Sequence, residues 1–184
     1  MTDKNLARSL INVDFLTRAH RITCQVEVGN TGLVGLLNDV HSSLFPVRNV
    51  YISRLQQPAK IVANFDDAHL VKANLAACLL ARREDIGPQS YIRVGAGKTF
   101  TSGVLMTTDN FEIRGQVEFT SRLDADAILV GGSGKFTVFY AATAVPIQYP
   151  ETPFSAPAMF VNRSLATGLG PLPKGKSDGI HPGH

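Results

Sequence analysis

At 184 residues, 44% of them hydrophobic and 18% charged, the chain has a globular composition and the length of one ordinary domain or two small ones. Its net charge of +3 is dispersed: ten Lys/Arg face eight Asp/Glu in residues 1–90, and eight face seven in 91–184, which gives none of the focused potential that gathers a phosphate backbone. There is no apolar run of roughly 20 residues to span a bilayer, no apolar core of signal-peptide length near Met1, and no CxxC or Cys/His cluster, so the expected location is cytoplasmic.

In chain order, residues 13–17 read as a short strand that turns at 18–20 into a longer one at 21–28. There Ile22, Cys24, Val26 and Val28 alternate with Arg21, Thr23, Gln25 and Glu27, and this period of two predicts a half-buried antiparallel strand. A polar turn at 29–32 leads to Leu33-Val34-Gly35-Leu36-Leu37-Asn38, one or two helical turns, and strands follow over 45–55 and 60–65. The Ala/Leu-rich stretch 69–83 lies between Asp66-Asp67 and Arg82-Arg83, the charge order a helix dipole favours, and reads as a strand running on into helix. Ile86-Gly87-Pro88, within 84–89, marks a linker.

The pattern then starts again. A strand at 104–108 turns at Asp109-Asn110 into 112–119, where Ile113, Gly115, Val117 and Phe119 point inward. Strands are expected at 136–147 and, beyond a Pro-rich stretch at 149–157, at 158–161. Sliding the chain against itself by 91 positions aligns 13–47 with 104–138 without a gap, and nine of the 35 positions are identical. Chance would give about two. The expected organisation is a first unit over 1–84 with an N-terminal extension, a linker over 85–101, a second unit over 102–169 and a flexible Gly/Pro tail over 170–184. From Gly168 onward the sequence has too little apolar surface to offset its own ordering entropy.

The order of pieces within a unit resembles a group of small bacterial domains with an Sm-like barrel fold and no established activity. In the first unit the resemblance rests on Leu33, Leu36-Leu37-Asn38, Phe45-Pro46-Val47 and Asp66-Asp67-Ala68-His69-Leu70. In the second it rests on Ile113-Arg114-Gly115, Arg122-Leu123, Phe136-Thr137-Val138 and Phe160-Val161-Asn162-Arg163-Ser164-Leu165. Cys24 stands where the group has Gly, and the second unit lacks the Leu-Leu-Asn signature. The resemblance implies a mainly β fold of two tandem Sm-like antiparallel barrels with short helical turns. Closing each sheet would remove exposed edges.

The motifs that invite chemistry each have a plainer explanation. Gly95-Ala96-Gly97-Lys98-Thr99 lacks the first Gly of a phosphate loop, since Ile92 stands there, and a strand rather than a helix follows. Gly131-Gly132-Ser133-Gly134-Lys135 fails for the same second reason. Cys24 with His20 or His69 suggests a nucleophile and base, but Cys24 lies on an inward strand face and matches Gly115; Cys78, within Ala-Ala-Cys-Leu-Leu, reads as core. His20, His41 and His69 have no metal-ligand spacing, and His181 and His184 belong to the tail. Asp66-Asp67 and Asp124/Asp126 read as turn and solvent-facing residues.

No catalytic, cofactor-binding or metal-binding residue is therefore expected, and the chain reads as a non-enzymatic assembly module. It would bind protein subunits or further copies of itself, with the tail from Gly168 and the Pro-rich 149–157 as docking segments. The alternative is an Sm-like RNA or DNA binder. It would need a basic face formed by Arg21, Arg48, Arg54 and Lys60, with Tyr51, Phe139 or Tyr140 stacking bases.

Overall fold

The structure, a computed structural model, describes residues 8–88, 99–119, 124–131 and 134–173. Residues 95–98, Arg122-Leu123, Gly132-Ser133, and the part of the tail over 174–184, with His181 and His184, lie outside the described residues.

The chain is mainly β. Ten strands, β1 (Ser9–Leu16), β2 (His20–Val28), β3 (Leu44–Arg54), β4 (Gln57–Val71), β5 (Ala77–Leu80), β6 (Phe100–Thr108), β7 (Phe111–Phe119), β8 (Phe136–Pro146), β9 (Phe154–Asn162) and β10 (Ala166–Pro171), form one antiparallel sheet in the order β10-β6-β7-β8-β9-β5-β1-β2-β3-β4. Among the described residues two short α-helices, α1 (Gly32–Asn38) and α2 (Ala125–Leu129), follow β2 and β7. The two separately closed barrels expected from the sequence are not found, because the sheet is open. β5 would have to close the first half on itself; instead it lies between β1 and β9, and its all-apolar Ala77-Cys78-Leu79-Leu80 is buried throughout.

Each half has the same strand order, β5-β1-β2-β3-β4 and β10-β6-β7-β8-β9. The registers repeat as well. Val13 faces Cys24 and Leu80, and Val104 faces Gly115 and Pro171, each number raised by 91. The shared Thr17 and Thr108 close their hairpins identically: each hydroxyl accepts from the backbone N–H three residues on, His20 or Phe111, and donates to that residue's carbonyl. β3 and β8 depart from this spacing. Thr23 pairs with Tyr51 and Arg114 with Thr143, so β8 matches β3 at an offset of 92. The left-handed Asn49 (φ 49°) and Ala141 (φ 44°) then coincide at a bulge in each strand. The identities Phe45/Phe136 and Val47/Val138 are not structural equivalents.

Residues 69–83 hold no α-helix. β4 ends at Val71, a 3-10 turn spans Lys72–Asn74, and β5 follows. The connecting segment starts as a packed 3-10 turn, Arg83–Ile86, whose Ile86 is buried against the first core. Gly87 then meets Gly32, both with positive φ, so closely that a Cβ on Gly32 would lie 2.4 Å from the Gly87 Cα. The Pro-rich 149–157 is a tight turn, with Tyr149 N–H on the Pro146 carbonyl and Thr152 N–H on that of Tyr149, running into β9. Gly168, Leu169, Gly170 and Pro171 are ordered as β10 against β6, so the chain's own sheet holds the start of the segment read as tail.

Two cores meet across the β5–β9 seam. The first is built on Phe15, Val26, Leu33, Leu37, Phe45 and Val47, and it takes in Phe136, Tyr140, Ala158 and Phe160 from the second half. The other, around Met106, Phe111, Ile113, Phe139 and Met159, takes in Leu16, Leu55, Ala77 and Leu79 from the first half. Alternate residues of each seam strand therefore serve opposite cores, which explains why both strands are apolar on both faces.

Candidate functional site

The residues singled out as possible chemistry do not converge. Cys24 and Cys78 are buried free thiols; burial, and then the Asp14 charge, push the Cys24 thiol up to about 12, and burial raises Cys78. Neither supplies a thiolate near neutral pH. His20 lies four residues from Cys24 along β2, roughly 13 Å of strand, and His69 is exposed on β4, with β3 between it and β2. Asp66 and Asp67 are exposed on β4. Asp124 caps α2 by accepting from the N–H groups of Asp126 and Ala127. Among the described residues no group of three His, Cys, Asp or Glu is placed to hold a metal ion.

The nucleic-acid surface does not assemble either. Arg21 is bound to Asp14 at 2.6 Å, and Arg48 lies between Glu27 and Asp67 at 3.8 and 3.9 Å. Only Arg54 and Lys60, at the β3–β4 hairpin, keep the expected basic character. Phe139 and Tyr140 are buried, and the Arg83 guanidinium covers the Tyr140 ring at 4.1 Å. Tyr51 is exposed.

A small cleft of about 150 Å³ lies where the halves meet, lined by Asn38, Asp39, Ser42, Ser43, Lys72 and Lys135 among others. Asn38 and Lys72 in its lining hold the fold. Asn38 exchanges two hydrogen bonds with the backbone of Phe136, at 2.8 and 3.1 Å. Lys72 is 5% exposed and donates from Nζ to the Asp39 carbonyl at the end of α1; burial lowers its affinity for the proton, and Asp39 opposes that shift. Arg163, 91 residues later, donates likewise to the carbonyls of Ile128 and Gly134 around the end of α2. A cation at a helix C-terminus satisfies orphan carbonyls, a structural task. Asn162, 1% exposed, donates to the Leu75 carbonyl and accepts from the Ser164 N–H, so it ties β9 to the chain entering β5. These four residues went unassigned in the sequence. For Asn38, Asn162 and Arg163 the signal was present in the motif pieces that resemble the Sm-like domains.

What remains available is backbone. Among the described residues the outer sides of β4 and β10 pair with no strand. Lys72 N–H bonds the Ser43 carbonyl, and with Phe45 opposite Leu70 and Val47 opposite Ala68, alternation directs the amides of Leu70 and Ala68 to β3. The amides of Val71, His69 and Asp67 therefore point outward. On β10, Leu172 N–H bonds the Gly103 carbonyl, so Gly170 faces β6 and the Leu169 amide points outward. Among the described residues six of the twelve exposed large apolar side chains, Leu44, Tyr51, Ile61, Val62, Phe65 and Val71, lie on β3 and β4, which concentrates apolar surface beside one open edge.

No family model, curated protein or solved structure matches the chain. No helix among the described residues is long and apolar enough to cross a membrane.

Proposed function

We propose that the chain is a non-enzymatic assembly module, two Sm-like units in tandem, that joins protein subunits by adding strands at the outer edges of its sheet. One observation carries this reading. Residues 158–162 of β9, paired beside β5, are buried, whereas 67–71, which take the same positions in β4, are exposed except for Leu70 and the half-buried Ala68. A fifteen-residue strand with outward amides and exposed Ile61, Val62, Phe65 and Val71 is a template for β-augmentation. The dispersed charge and the carboxylate-bound Arg21 and Arg48 speak against the RNA or DNA alternative.

The test is the native mass of the particle in the cells that make the protein, compared between the wild-type chain and His69→Pro. Proline removes an outward N–H and leaves the β3–β4 ladder intact. A particle larger than the 19.8 kDa chain that collapses in the variant supports the reading. A particle whose mass ignores the substitution, or falls on nuclease treatment, rejects it.

A further inference from the structure

The seam inside the molecule already shows what the outer edges fit. At the seam β5 pairs with β9 as Ala77↔Val161, Cys78↔Phe160, Leu79↔Met159 and Leu80↔Ala158. Every register that places β5 beside β1 recurs 91 residues later for β10 beside β6. β4 and β9 correspond at the same spacing, since Val50 faces Phe65 and Ala142 faces Ala156, and Val47 faces Ala68 and Phe139 faces Met159. Shifting the seam by 91 therefore writes a second pairing between the two unused edges. Resting on the assembly reading above, we propose that the partner is a second copy of this chain, joined head to tail, with β10 of one copy antiparallel to β4 of the next at Gly168↔Leu70, Leu169↔His69, Gly170↔Ala68 and Pro171↔Asp67.

The hydrogen-bonding phase agrees. At the seam Asn162 N–H bonds the Ala76 carbonyl, and Arg163 N–H bonds the Lys135 carbonyl on the other side, so Phe160 and Ala158 face β5. Their counterparts His69 and Asp67 have the outward amides of β4. On β10 the outward residue Leu169 is the counterpart of Cys78. Two edges derived separately from their own ladders thus carry complementary groups at matching positions.

The flanking side chains follow the same rule. Phe136, buried at the seam, corresponds to Leu44, which is 45% exposed. Leu55, buried against the second core, corresponds to Ile147, 50% exposed, and both make the same backbone bond to the hairpin before them, Leu55 N–H to the Ala19 carbonyl and Ile147 N–H to that of Asn110. Residues left in water on the outer flanks are thus those a repeated seam would cover. The small Gly168 and Gly170 stand where Ala77 and Leu79 fill the seam; a Cβ at Gly170 would meet nothing within 4 Å, which leaves room beside the incoming Leu70 and Ala68. Pro171, in the place of Leu80, has no N–H to give, so the joint between copies has one hydrogen bond fewer than the seam. Because the two edges differ, each addition leaves one of each free, and growth stops only when a ring closes.

Register-specific cross-linking of the purified chain tests this. Ala68 and Gly170 would be directly opposed, as a non-hydrogen-bonded pair whose Cα atoms are about 4.5 Å apart, within disulfide reach. Chains carrying only Ala68→Cys are mixed with chains carrying only Gly170→Cys and oxidised with glutathione disulfide. A covalent dimer should form in the mixture, in neither variant alone, and not when Asn64→Cys replaces Ala68→Cys. Light scattering of the wild-type chain should give one whole-number multiple of 19.8 kDa. A monomer at all concentrations, with no dimer in the mixture, overturns the proposal. So does cross-linking of the Ala68→Cys chains alone, which marks a symmetric β4–β4 contact. If the cellular particle collapses with His69→Pro while the purified chain stays monomeric, edge-mediated assembly stands and the self-pairing falls.

Discussion

β5 and β10 occupy the same place in the two halves, each laid antiparallel beside the first strand of its half, and they could hardly differ more in composition. Ala77-Cys78-Leu79-Leu80 is apolar and buried; Gly168-Leu169-Gly170-Pro171 is half glycine, ends in proline and is only partly covered. β9 and β4 repeat the contrast: Ala158-Met159-Phe160-Val161 is buried, while Asp67-Ala68-His69-Leu70 is largely exposed. Register alone does not demand an apolar strand. A strand inside a sheet, covered by a core on each face, does. A strand at the rim has one side open to water, and Pro171, Asp67 and His69 are the kinds of residue that blunt such an edge.

The comparison breaks most visibly at Phe160 and His69. Phe160→Ala should destabilise the chain by about 3–5 kcal/mol, because Phe160 is fully buried in the first core from the opposite half. His69→Ala, at the equivalent position, should change the stability of the isolated chain by less than about 0.5 kcal/mol. Denaturant unfolding at low protein concentration measures both. Equal costs would contradict the contrast between the buried interior strand and the exposed rim.

Cys24 and Gly115 sharpen it further. Both lie at the bulge of their half, but a Cβ on Gly115 would sit 3.1 Å from the Cβ atoms of Phe139 and Ala142. Cys24→Ala should cost about 1 kcal/mol, and native Cys24 and Cys78 should label no faster than the fold opens. The sign with pH is fixed: the folded Cys24 thiol ionises near 12 and the unfolded one near 9. Its contribution is therefore complete below pH 9 and is lost above it, at about 1.4 kcal/mol per pH unit. Cys24→Ala should remove that part of the alkaline loss, read from unfolding curves between pH 9 and 11.

The smallest effect concerns the two left-handed residues. Ala141→Gly should stabilise the chain by up to about 1 kcal/mol, since the methyl group opposes a positive φ. Asn49→Gly should gain less, because asparagine tolerates that region.

Where local chemistry decided the structure, the sequence was readable. The alternation of 21–28 and 112–119 gave β2 and β7, and the Thr17/Thr108 identity marks hairpins closed by the same hydroxyl. Reading failed wherever a distant strand decided. Nothing near Ala77 says that β5 will continue the other half's sheet, and the Ala/Leu content of 69–83 resembles helix because an interior strand is apolar on both faces. The slip of one residue at β8 was masked by Phe136 and Val138, which happen to match Phe45 and Val47. Asn38, Lys72 and Arg163 act on backbone carbonyls far along the chain, and only the fold brings those carbonyls to them.

Amide hydrogen exchange as a function of protein concentration tests the central claim most directly. If the outer edges repeat the seam, the amides of Leu169, His69 and Asp67 exchange quickly in dilute protein and become protected together as concentration rises, while that of Phe160 is protected throughout. If those three amides exchange at rates independent of concentration, or only the β4 amides become protected, the edges do not pair as the seam does.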